Sequence, residues 1–153
     1  MSGKSAQDKR KAAKRAADMT ILPAGDESKW QPPPPEVRNE SFVSTFDAPG
    51  CRDGKNRIKV RIVSHTETGA LIEFNIVHQT FHRGKWRDVA SADSCHDDEV
   101  HVHRYARSSD ARVGNPETLV PVRKLADIQT GYDVAYDTVV DKWVENRGRW
   151  DHG

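Results

Sequence analysis

The chain has 153 residues, 35% of them hydrophobic and 31% charged, with 24 Lys and Arg against 23 Asp and Glu. That length predicts one domain, at about 100–200 residues each, and the formal net charge of +1 excludes a global electrostatic pull toward nucleic acid or membrane. The apolar share is low against the about 45–50% usual on a scale that also counts Gly, so part of the chain is expected to lie outside any core.

Residues 1–40 read as a flexible basic and Pro-rich tail. Lys4, Lys9, Arg10, Lys11, Lys14 and Arg15 face one acid, Asp8. The alanines between them permit a helix, but it would have no apolar face to bury. No continuous apolar stretch follows, so a signal-peptide core is missing and a cytoplasmic protein without a membrane span is expected. Pro32 to Pro35 favour an extended polyproline linker, with Trp30 just before it. Cys51 and Cys95 form no CxxC pair, which argues against a thiolate zinc knuckle. With no secretory signal, two reduced thiols are expected.

Residues 41–153 read as a small α+β domain, with its strands beginning at Arg57. From Arg57 to His65, Ile58, Val60 and Ile62 alternate with Lys59 and Arg61, the pattern of a half-buried strand. A turn at Glu67-Thr68-Gly69 leads to a second strand, Ala70 to His82, which buries Ile72, Phe74 and Ile76. Arg83-Gly84-Lys85 marks the next turn, and Trp86 to Asp93 a third strand. His96-Asp97-Asp98 turns into a fourth, Glu99 to Arg107. There Val100 and Val102 face one way and His101, His103 and Tyr105 the other. Ser108 to Pro121 reads as a polar loop. A helix is predicted from Asp127, its candidate N-cap, to Asn146, with Gly148 beyond its end. Its stripe is Ile128, Tyr132, Ala135, Val139 and Trp143. The predicted fold is a four-stranded antiparallel meander packed by one C-terminal helix, behind a disordered tail.

Chemistry concentrates between Arg87 and Tyr105. Five of the seven histidines lie between positions 78 and 103. His101 and His103 share a strand face about 7 Å apart, and the turn at His96 to Asp98 folds Asp93 and His96 back toward them. Three readings stay open. His101 and His103 can chelate a metal such as zinc, with Asp93 or Asp97 completing the shell. Alternatively, one imidazole accepts a proton while the other donates one, as in metal-free ribonucleases. Arg87, Arg104 or Arg107 would then supply a cation, with Arg107 on the histidine side and Arg104 opposite. Third, His, Tyr and Arg suit a solvated sheet face with no chemistry at all.

Arg87, Asp93, His96, His101 and His103, followed by the C-terminal helix, resemble small prokaryotic and phage proteins, among them the TumE-like toxins of toxin–antitoxin pairs. The resemblance covers roughly the last hundred residues. It implies a toxin-like or phage effector acting on RNA through Asp93, His96, His101, His103 and Arg87, without a cofactor. The alternative is a non-catalytic module that binds protein or nucleic acid through its basic tail and sheet face.

Overall fold

A computed structural model describes residues 31–51, 54–96, 98–109 and 111–153, except for the side chains of 45–51, 54, 95 and 96. The basic segment, Trp30 and Asp97 lie outside the described residues, as do the side chains of Cys51, Cys95 and His96.

Among the described residues the sheet has six strands, not four. They are β1 (Arg38–Cys51), β2 (Gly54–His65), β3 (Leu71–His82), β4 (Lys85–His96), β5 (Glu99–Arg104) and β6 (Glu117–Pro121). They lie in sequence order, and each is antiparallel to the next. Both additional strands are edges. An edge strand pairs on one side only and need not bury a face, so its sequence carries little alternation. Phe42 of β1 is 72% exposed, and β6 is a short, mostly exposed piece of the segment expected to be a polar loop. Arg38 to Glu40, in the expected tail, belong to β1. Before them the proline run ends in a 3-10 turn, Pro35–Val37, and Arg38 Nε donates to the Pro33 carbonyl at 2.7 Å.

Two turns show their chemistry directly. Gly69 has φ +69°, as the β2–β3 connection requires. At the β3–β4 hairpin both Arg83 and Gly84 have positive φ, the backbone of a type I′ turn, whose twist matches that of the paired strands.

The helical segment is longer than expected and broken in the middle. It comprises α1 (Leu125–Tyr136), a π-helical turn (Asp137–Asp141) and α2 (Trp143–Asp151). The helix starts before Asp127. Asp127 acts from inside the first turn, where its Oδ2 accepts from the Arg123 and Lys124 amides at 2.8 and 3.1 Å. Gly148 lies within α2 rather than beyond the helix. The apolar stripe explains the break. From Ala135 it advances by two steps of four, to Val139 and Trp143, which drifts about 80° around an ideal α-helix. A wider turn absorbs that drift. Lys142 N accordingly reaches back to Asp137 O, and Val139 stays fully buried.

The helices cover one face of the sheet. The core joins Ile58, Val60, Ile72, Phe74, Ile76, Ala92, Val100 and Val102 to Leu125, Ile128, Ala135 and Val139. Phe74 meets Tyr132 edge-on, ring centroids 5.3 Å apart. No helix among the described residues is long and apolar enough to cross a membrane.

Beneath α2 the core turns polar. His78, fully buried, pairs through Nε2 with Asn56 Oδ1 at 3.0 Å, and its ring lies edge-on to Trp143. Burial first, and Arg147 second, push the His78 imidazole down to about 4. It is therefore neutral, and because Asn56 Oδ1 is an acceptor, Nε2 carries the proton. Arg147, also buried, donates to Thr80 Oγ1 and lies 3.3 Å from Asp151 Oδ2.

Candidate functional site

The open face of the sheet is built by strand parity. Val100 and Val102 enter the core, so His101 and His103 stand opposite. In the β4–β5 register Asp93 faces His101 and Ser91 faces His103. Asp93 Oδ2 lies diagonally, 3.5 Å from His103 Nε2. The two imidazoles are 6.3 Å apart between centroids. His101 Nε2 is 3.1 Å from Glu99 Oε2, without the direction of a hydrogen bond, and that carboxylate accepts from Thr118 Oγ1 at 2.9 Å. His96 pairs with Glu99 across the turn.

Arg87 does not join this group. A regular strand would put positions 87 and 93 on one face. Here β4 bulges: His78 pairs with Ala90 but Gln79 with Asp88, leaving Val89 as the extra residue. One extra residue inverts the alternation. Asp88 therefore comes to the open face, where Gln79 Nε2 donates to it at 2.7 Å. Arg87 goes to the helix face, 5.4 Å from the centre of the Trp150 ring, and donates to the Arg107 carbonyl at 2.7 Å. Arg107 is not on the histidine side either. β5 ends at Arg104, the chain turns at 107–109, and Arg107 lies 3.8 Å from Asp151 of α2.

Arg112 takes the place expected of Arg87. After Tyr105 the loop folds back and forms a bridge between Tyr105 and Arg112, with Val113 N donating to Arg104 O at 2.7 Å. The Arg112 guanidinium interacts with the Tyr105 oxygen and lies within electrostatic reach of Asp93 and Asp88. The Tyr105 hydroxyl also meets Ser91 Oγ at 3.3 Å. The site is thus Ser91, Asp93, His101, His103, Tyr105 and Arg112.

A carboxylate beside an imidazole ordinarily favours its protonated form. The net effect is the opposite. Burial lowers the His103 pKa most and Arg112 lowers it further, and together they outweigh the raising effect of Asp93. His103 is accordingly a neutral base near pH 7.

No known protein-family model, curated protein or solved structure matches the chain.

The metal reading needs three or four ligands. Among the described residues no group of three or more His, Cys, Asp or Glu side chains is placed to hold an ion. Sequence reasoning put Tyr105 on the correct face but did not enlist it. It missed Arg112, which sits in a polar loop where neither period nor spacing marks it.

Proposed function

We propose that the protein is a toxin-like effector that cleaves RNA in the cytoplasm by acid–base chemistry at the Asp93–His101–His103 face. One observation carries this reading: two imidazoles share a strand face, one within 3.5 Å of a carboxylate and within reach of the Arg112 charge. With the His103 Nε2 proton directed at Asp93, Nδ1 holds the lone pair. It takes the proton of a ribose 2′-hydroxyl. The 2′-oxygen bonds to phosphorus, the bond from phosphorus to the 5′-oxygen breaks, and His101 returns a proton to the departing oxygen. Arg112 offsets the charge on the phosphorane, and Tyr105 orients Arg112.

A second reading is a binding module without chemistry. Ser91, Asp93 and His103 are each at most 9% exposed, which suits a rigid polar platform for protein or nucleic acid. One experiment separates the two. A ribo-oligonucleotide incubated with the purified chain should yield 2′,3′-cyclic phosphate ends, and a 2′-deoxy substitution at the cut site should block them. His103→Ala and His101→Ala should each lower the rate by about a hundred- to ten-thousand-fold. Binding without products would favour the platform and sink the catalytic reading.

A further inference from the structure

A second concentration of charge lies on the other side of the Val89 bulge. The β3–β4 turn, the turn after β5 and the end of α2 enclose a cleft of about 460 Å³. Its walls are His82, Arg83, Arg87, Arg107, the Ser108 and Ser109 pair, and Asp151. Arg147 stands behind the wall, buried. Four arginines therefore surround one carboxylate, and Asp151 is already held between Arg107 at 3.8 Å and Arg147 at 3.3 Å. Among the described residues that line the cleft, Asp151 is the one acidic side chain, against Arg83, Arg87 and Arg107.

Two guanidinium groups, those of Arg87 and Arg147, are also held in place. Trp150 is 1% exposed and lies beneath them. Arg147 and Arg87 lie 4.9 and 5.4 Å from its ring centre, and the His82 ring meets it edge-on at 5.4 Å. Such cation–π seating orients the guanidinium planes. Arg87 is further fixed by its bond to the Arg107 carbonyl. Two serine hydroxyls, on a turn, add donors that rotate to suit an acceptor.

We propose that this cleft binds the phosphate group of a small phosphate ester. Planar guanidinium forks match phosphate oxygens in pairs, which a spherical anion cannot exploit. The volume falls within the roughly 300–1,000 Å³ of small-molecule sites, so a bare phosphate would leave much of it empty. The proposal is independent of RNA cleavage: Arg87 and Arg107 face away from His101 and His103, and neither site needs the other. The His82 imidazole supports it. Its pKa is lowered by burial first and then by Arg107, Arg83, Arg87 and Arg147, so a bound dianion should raise it again.

The test titrates the full chain with inorganic phosphate, and separately with adenosine 5′-monophosphate, against chloride at constant ionic strength. The His82 ring proton is followed by NMR. Saturable binding with an upward shift of the His82 pKa is expected, about tenfold tighter for the ester than for phosphate. Arg107→Gln and Arg83→Gln should each weaken binding about tenfold or more. Arg83 is exposed on a turn, so its variant should melt like the wild type and stays informative even if Arg107→Gln fails to fold. No saturable His82 response, or an Arg83→Gln variant that binds normally, would overturn the site. Equal affinity for phosphate and the ester would overturn the assignment of ligand class.

Discussion

The Asp93 carboxylate lies 3.5 Å from His103 Nε2, yet the His103 imidazole is held below its ordinary pKa. Burial and the Arg112 charge outweigh the carboxylate. The two neighbours therefore act in opposite directions and can be separated by substitution. Asp93→Asn should lower the His103 pKa further, and Arg112→Gln should raise it. NMR titration of the His103 ring proton measures both. If the two variants shift it the same way, this account of the site fails.

The same balance sets a pH dependence for RNA cleavage. A neutral His103 is the base, so the acid limb of the activity profile should lie below the ordinary histidine range of about 6.5. Arg112→Gln should move that acid limb upward while also lowering the maximal rate. A limb that stays put in Arg112→Gln would remove His103 from the role of base.

His78 makes the fold itself sensitive to acid. Its folded pKa is about 4, against an ordinary 6.5, so the unfolded chain binds the extra proton between those values. Stability contributed by neutral His78 is present in full above about pH 6.5 and declines until pH reaches about 4, for a total of roughly 3 kcal/mol. Asn56, Trp143 and Arg147 surround the ring, and none of them carries a negative charge to offset an imidazolium there. Denaturant unfolding of His78→Gln should show a shallower loss between those pH values than the wild type. Parallel curves would mean that His78 titrates normally.

Gly131 is the close-approach point between α1 and β5. A Cβ there would run into Val100 Cγ2, and Val100 is fully buried. Alanine would ordinarily gain about 1 kcal/mol in a helix. Here Gly131→Ala should instead cost about 1–3 kcal/mol through overpacking. Adding Val100→Ala should cost less in the Gly131→Ala background than in the wild type. Additive costs in urea unfolding would show that the helix simply moves away.

Arg147 anchors α2. It is 1% exposed and bonds to Thr80 while pairing with Asp151. Arg147→Ala should cost about 3–5 kcal/mol, because it leaves buried polar partners behind. Arg147→Met, which keeps most of the volume, should cost less. If the two variants unfold at the same denaturant concentration, packing contributes nothing there.

The sequence made the inner strands legible because burial on one face forces alternation. Ile58, Val60, Phe74, Ile76, Val100 and Val102 all point inward, and that parity placed His101 and His103 together on the other face. The edges were not legible. Phe42 sits in solvent, so nothing disciplines the pattern of β1. The helix stripe was read correctly in its residues, but its four-residue steps hid a π turn. The site was half legible for a similar reason. Asp93 and the two histidines follow from the register of one hairpin, whereas Arg112 arrives through a loop whose path depends on tertiary contacts. Arg87 was misplaced because a bulge is one residue of mismatch between two strands, and neither strand alone records it.

Val89 divides β4 into two phases of one alternating sequence. On one side of it even positions look toward the helices; on the other side odd positions do. The strand thereby delivers its cation, Arg87, to Trp150 and its anion, Asp93, to His103. Opposing Val89 with one residue inserted into β3 between His78 and Gln79 would bring the halves into phase. Arg87 would then swing to the histidine face and Asp88 to the helix face. Deleting Val89 would not do this, because Arg87 and Asp93 would stand five residues apart and keep opposite faces. The separation of the two charged centres thus rests on one residue that β3 leaves unopposed.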